Sequence, residues 1–137
     1  MRTTQRKGDV ATAQAIATFT ELGYDVSIPL TESARYDLIV DDGIGLHRVQ
    51  VKYSSRNKVD VRSIHSNSKG YVVKKAREND YDWLYVLQVT NDGRKEFLFR
   101  HCFAGRNGVT LGAESLLREL SQISAGLDVT DEIACVD

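Results

Sequence analysis

The stretch that most limits what this chain can fold into is Tyr36-Asp37-Leu38-Ile39-Val40, followed by Asp41-Asp42-Gly43-Ile44-Gly45 and then by Leu46-His47-Arg48-Val49-Gln50-Val51-Lys52-Tyr53. It reads as two adjacent strands joined by a short turn. Side chains alternate between the faces of a strand. Asp37, Ile39 and Asp41 therefore share one face of the first strand, and Leu46, Arg48, Gln50 and Lys52 share one face of the second. A hairpin centred between Gly43 and Ile44 sets Asp37 opposite Gln50; one centred at Asp42-Gly43 sets it opposite Arg48. Both registers keep Asp37 on the face of Gln50 and Lys52, because a two-residue slip preserves the face. A buried face is normally apolar, yet here a carboxylate, an amide and an ammonium converge. His47, Val49, Val51 and Tyr53 on the other face have the character of packing residues. The polar face is the candidate active site.

The 137 residues suit one domain, 1–137, with a core over about 7–100 and a C-terminal helix and acidic tail over about 105–137. Apolar residues at 42% and charged residues at 27% make a globular chain rather than a disordered or fibrous one. The net charge of −1 gives no global positive field, so nucleic-acid binding has to rest on a local patch. Cys102 and Cys135 lack metal-ligand spacing and read as free thiols of a reducing compartment. No apolar run is long enough to span a bilayer, and no apolar stretch follows the polar N-terminus as a secretory signal requires. The expected location is cytoplasmic.

Along the chain, Lys7 to Leu22 is helix-like and Gly23 stops it. Tyr24–Ile28 alternates as a strand and Pro29 ends it. After the hairpin, Val59, Val61 and Ser63 alternate with Asp60, Arg62 and Ile64 as a further strand, and Ser66–Gly70 reads as a loop. Tyr71–Asn79 reads as a short basic helix. Asp82–Val89 is a strongly apolar run, hence a central strand. Asn91–Arg94 turns back into a strand at Glu96–Phe99, and Gly105–Gly108 is a loop. Leu116, Leu117, Leu120 and Ile123 predict an amphipathic helix over Ala113–Ile123, before a tail carrying Asp128, Asp131, Glu132 and Asp137. This is an α/β (α+β) domain, a central mixed sheet flanked by helices.

Phosphodiester hydrolysis needs an activated water and relief of charge on the phosphate and the leaving oxygen. A divalent metal on hard oxygen ligands supplies much of both, and a lysine beside it orients or deprotonates the water or stabilises charge. Asp37 offers an anionic oxygen, Gln50 an amide oxygen, Val51 a backbone carbonyl, and Lys52 the general base or electrostatic group.

The chain resembles the PD-(D/E)xK nuclease superfamily, in the Gln-containing branch that includes group I intron homing endonucleases and archaeal or viral relatives. The matching residues are Lys7-Gly8, Gly23-Tyr24-Asp25-Val26 with Pro29, Tyr36-Asp37-Leu38-Ile39-Val40, Arg48-Val49-Gln50-Val51-Lys52 and Tyr81-Asp82-Trp83-Leu84. The resemblance implies a restriction-endonuclease-like core and Mg²⁺-dependent DNA cleavage, with Mn²⁺ as an alternative ion, often in a homodimer or higher homo-oligomer. Its cutting would be of homing type or like that of a Holliday-junction resolvase. Such proteins often carry an acid on the first helix. Here Thr12 occupies that position, and Asp9 lies one turn earlier on the same stripe as a substitute ligand. Asp9 also reads as an N-terminal helix carboxylate favoured by the macrodipole. Glu32 reads as a solvated loop carboxylate.

Basic residues cluster in the middle of the chain, acids towards its C-terminus. Lys7, Arg35, Arg48, Arg56, Lys58, Arg62, Lys74 and Lys75 form the expected DNA-binding belt. Two functions follow from different classes: a DNA endonuclease, or a DNA-binding module that keeps the fold with impaired catalysis.

Overall fold

The computed structural model describes residues 3–120 and, within them, all side chains except those of 65–67. One α-helix, α1 (Thr3–Glu21), opens the chain. Ten strands follow: β1 (Asp25–Ser27), β2 (Leu38–Asp41), β3 (Leu46–Ser54), β4 (Lys58–Asp60), β5 (Ser63–Asn67), β6 (Gly70–Lys74), β7 (Trp83–Thr90), β8 (Gly93–Phe99), β9 (Gly108–Thr110) and β10 (Leu116–Leu120). A short 3-10 turn at Ala113–Ser115 precedes the last.

The helix begins four residues earlier than expected and buries Ala11, Ala15, Thr18 and Phe19, a stripe at helical spacing. Its end is a Schellman motif. Gly23 sits at φ +90°, its N–H meets the Thr20 carbonyl, and the Tyr24 N–H meets that of Phe19, both at 3.0 Å. Burying Phe19 alone contributes about 2–3 kcal/mol.

Six strands form the main sheet in the order β1-β2-β3-β7-β8-β10. Only β3 and β7 are parallel; the other pairs are antiparallel. A parallel pair needs a crossover, and here β4, β5 and β6 supply it. On one face α1 packs over Leu38, Val40, Val49, Val51, Trp83, Tyr85 and Leu87. On the other, Leu84, Val86, Phe97 and Phe99 pack against Val59 and Val61, Ala76 and Tyr81, and Phe103, Val109 and Leu111. Buried from both sides, Trp83–Gln88 of β7 forms the centre of the molecule. This is the α/β, restriction-endonuclease-like architecture expected, with a single flanking α-helix among the described residues.

Two expected helices are strands. Tyr71–Asn79 does not form a helix: its first half is β6, paired with β5 in a ribbon in which Asn67 faces Gly70. Tyr71-Val72-Val73 favours a strand through its aromatic and β-branched side chains, and Gly70 at φ +122° closes the turn. The expected loop at Ser66–Gly70 is therefore the tip of this ribbon. In the expected helix Ala113–Ile123, the described part is the 3-10 turn and β10, which covers the edge of β8. A register shift between Leu116 and Arg118 lets Leu117 and Leu120 both reach the α1 side, which mimics helical spacing in the sequence. Ile123, Cys135 and the acidic tail lie outside the described residues. Among those described, no helix is long and apolar enough to cross a membrane.

Candidate active site

The β2–β3 turn sets the register. Asp42 Oδ1 accepts the N–H groups of Ile44 and Gly45, each at 2.8 Å. Its Oδ2 lies 2.9 Å from His47 Nε2. These contacts hold the Asp42 carboxyl down at about 2, the Gly45 and Ile44 amides contributing most. Gly43 takes φ +90°, and its N–H meets Asp41 Oδ1 at 2.9 Å. The imidazole of His47 stacks on Trp83 with ring centroids 4.1 Å apart. The resulting register pairs Leu38 with Val49 and, one step on, sets Asp37 across from Gln50. Of the two registers open to the sequence, this is the one centred between Gly43 and Ile44.

Regular pairing of β2 ends at Leu38 and Val49. The Asp37 N–H still reaches the Val49 carbonyl at 2.8 Å. Beyond that point the Asp37 side chain replaces the missing strand, and its Oδ2 accepts the Val51 N–H at 2.8 Å. Burial pushes the Asp37 carboxyl above its usual value, against the opposing pull of the Val51 N–H and the Lys52 charge. On the same face, the Lys52 Nζ donates to the Arg62 carbonyl at 3.0 Å. Burial pushes the Lys52 ammonium below its usual value, while Asp60 and Asp37 favour its charge. Asp60 itself is held low, first by its hydrogen bond from Arg62. A half-buried acid and a half-buried base thus share one face, the arrangement expected where charge is handled.

A cavity of about 360 Å³ opens on Asp37 and Gln50, with Glu32, Arg35, Ser63 and Lys74 in its walls. Glu32, which reads as merely solvated in the sequence, belongs to this wall. A second cavity of about 430 Å³ is lined by Arg56, Lys58, Asp60, Arg62 and Arg106, among others. Lys52 links the two, facing Asp37 of the first and touching Arg62 of the second. The belt read from sequence is divided accordingly: Arg35 and Lys74 fall in the first cavity, and Arg56, Lys58 and Arg62 in the second. Arg62 is paired with Asp60 at 2.9 Å. Arg48 is engaged within the fold: its Nε and Nη2 each lie 3.1 Å from the Asp82 carboxylate, which also accepts the Arg48 N–H at 2.8 Å. Lys7 lies over the Tyr53 ring at 5.5 Å, and Lys75 is exposed after β6.

Asp60 and Arg106 were missed in the sequence. Asp60 shares the alternating pattern of an ordinary strand, and only the crossover brings it to Lys52. Arg106 arrives from the far side through β9, which pairs with β4. Asp9 is exposed and Thr12 half-buried on α1. The buried stripe of that helix lies on the Val49 and Val51 face, opposite to Gln50 and Lys52. Neither residue lines the Asp37 cavity.

Oxygen donors for a hard cation are present but sparse. Asp37 Oδ1 remains once Oδ2 is committed to Val51. Alternate residues of β3 turn their backbone groups to the same side, so the Val51 carbonyl points past the end of β2 with its N–H. Gln50 adds an amide oxygen in the same cavity. No group of three or more His, Cys, Asp or Glu suited to a metal occurs among the described residues. The donor set fits an ion such as Mg²⁺, which keeps several waters and takes one or two carboxylates plus phosphate oxygens.

Comparison with known proteins agrees with this fold. The bacterial homing endonuclease I-Ssp6803I is similar in structure, with a TM-score of 0.62 and 25% identity, over 91% of this chain and 82% of its own. No curated protein matches the chain at a significant level. The family profile described as PD-(D/E)XK endonuclease matches residues 2–95, which contain α1, the β2–β3 hairpin, the crossover and β7. This chain belongs to the PD-(D/E)XK endonuclease family.

Proposed function

We propose that the protein is a metal-dependent DNA endonuclease that hydrolyses phosphodiester bonds at the cavity of Asp37 and Gln50, with Lys52 on the same strand face beside it. The observation that carries this reading is a half-buried carboxylate and a half-buried ammonium, Asp37 and Lys52, on one polar face beside a cavity that Arg35 and Lys74 also line. Arg35 and Lys74 are placed to receive the backbone phosphates flanking the cut. The Lys52 ammonium stabilises charge that builds on the phosphoryl oxygens, and its donation to the Arg62 carbonyl holds it in place. Asp37 Oδ1, Gln50 Oε1 and the Val51 carbonyl would hold Mg²⁺ or Mn²⁺. When bound, that ion supplies a more acidic water and neutralises phosphate charge. Hydrolysis joins the water oxygen to phosphorus and releases one sugar oxygen as a hydroxyl.

The likeness to a bacterial homing endonuclease favours cutting of homing type over that of a junction resolvase. Cutting both strands favours a homodimer or larger homo-oligomer. Supercoiled, linear and branched DNA incubated with Mg²⁺ or Mn²⁺ is the direct test. Metal-dependent cutting that disappears in Lys52→Ala supports the reading; equal cutting by the variant sinks it. The scarcity of acids at the site favours a second reading, a DNA-binding module with impaired catalysis. It predicts salt-dependent DNA binding with no metal requirement and no cleavage.

A further inference from the structure

Among the described residues, the β5–β6 ribbon is a two-stranded sheet with no third strand. Every residue of β6 is exposed, including Tyr71 at 79% and Val73 at 49%, and Ile64 of β5 is 63% exposed. A lone hairpin is marginal in water, and a contiguous apolar patch on it marks a surface that meets something. The register sets Ile64 opposite Val73 and Ser66 opposite Tyr71, so these positions share one face. Ser63 stands opposite Lys74 at the foot of the other face.

That foot is part of the active-site wall. Ser63 and Lys74 line the cavity of Asp37 and Gln50. The residue before the ribbon, Arg62, holds the Lys52 ammonium through its carbonyl at 3.0 Å. The ribbon therefore rises from the rim of the candidate cutting site, with its Ser63–Lys74 face on the cavity and its apolar face on the opposite side. Lys74 closes the second strand and the exposed Lys75 follows it, and Arg35 lines the same cavity as Lys74. An apolar face flanked by cations suits a polyanionic groove with apolar edges. A second copy seated by two-fold symmetry would bring like-charged lysines together.

We infer that the β5–β6 ribbon reads DNA sequence from the major groove beside the cut. The inference rests on the reading of this protein as one that acts on DNA. The major groove is about 12 Å wide, admits a two-stranded ribbon and presents thymine methyl groups to apolar side chains. Five-residue strands are about 17 Å long, which spans about five base pairs at 3.4 Å each. Ile64, Tyr71 and Val73 face the base edges, and Lys74 and Lys75 take the phosphates of the groove wall.

The test is selection of bound sequences from a randomised duplex library by the full chain in EDTA, so that the readout is independent of cutting. Wild type is compared with Tyr71→Ala and Val73→Ser, whose side chains are exposed and leave both cores intact; matched melting curves check this. The expected result is a wild-type motif in which one block of about five adjacent base pairs loses at least about ten-fold of its discrimination in the variants. The same motif in all three proteins overturns the inference, as does library binding by wild type with no motif at all. Variants that lose self-association in light scattering but keep the motif also overturn it, and identify a second copy as the occupant. DNA selected through the ribbon but left uncut in Mg²⁺ and Mn²⁺ supports this inference while sinking the endonuclease reading.

Discussion

Asp37 Oδ2 accepts the Val51 N–H at 2.8 Å, so one carboxylate oxygen completes the sheet and the other is left for chemistry. The bond forms because β2 stops pairing at Leu38 while β3 runs on to Ser54. A structural and a chemical duty meet in one side chain.

Asp37 costs the fold stability at neutral pH. Its folded carboxyl sits above 3.8, mainly through burial, so the folded state holds the proton more tightly than the unfolded chain. Stability from this group therefore falls as pH rises from 3.8 through the raised folded value. Asp37→Asn keeps an acceptor for Val51 and removes that cost. It is expected to raise the Tm at pH 7 by roughly 2–4 °C and to flatten the acid side of the stability profile, as calorimetry across pH will show. An unchanged acid profile would count against a raised Asp37.

The reaction should need Lys52 charged, because its neighbours are carboxylates and its Nζ donates to a carbonyl. Its folded value lies below 10.5, so cleavage is expected to decline on an alkaline limb that begins below 10.5. Lys52→Ala is expected to lower the cleavage rate by about 100-fold or more. A rate that climbs through the alkaline range instead would assign Lys52 the role of base.

Gln50→Glu adds a carboxylate across from Asp37 in a cavity that Glu32 also lines. Divalent affinity follows ligand charge, so calorimetry is expected to show Mn²⁺ bound about ten-fold more tightly by the variant. Equal affinity in both proteins would place the ion elsewhere.

In the second cavity, Arg106→Ala is expected to weaken DNA binding alike for all sequences and to reduce the slope of log affinity against log salt by about 1. Arg48→Ala serves as the contrast. Its guanidinium is held by Asp82, so it should lower stability and leave the salt slope in place.

Far from the cavities, Glu96 is fully buried. It accepts hydrogen bonds from Thr18, from the Tyr85 hydroxyl at 2.5 Å and from Arg118 Nε at 2.6 Å. Arg118 also reaches Glu21 at 2.7 Å, which ties β10 to α1. Arg118→Ala strands the Glu96 carboxylate and is expected to cost roughly 2–3 kcal/mol in urea unfolding. That is a discounted value, because the Arg118 side chain is 34% exposed. Arg118→Ala with Glu96→Gln should recover part of that loss.

Local chemistry made much of the molecule legible in the sequence. The α1 stripe, the Gly23 stop, the β2–β3 hairpin and the apolar run of β7 each carry their signal within a few residues. The face shared by Asp37, Gln50 and Lys52 follows from alternation alone. Tyr71-Val72-Val73 also carried a strand signal, which the lysines at 74 and 75 and Arg77 obscured. Leu117 and Leu120 could not be read correctly, because a bulge produces the same three-residue spacing as a helix.

By itself, the sequence determined which side chains share a strand face, since a period of two needs no partner, and it placed an acid and an amine on the same one. The tertiary structure decided the register, through the Asp42 turn and the His47–Trp83 stack. It also decided that Asp60 and the Arg62 carbonyl, rather than residues of α1, accompany Lys52. The physical reason is topological. The parallel pairing of β3 with β7 forces the chain to cross over the sheet, and that crossing carries Asp60, Arg62 and the ribbon to the face that α1 leaves open.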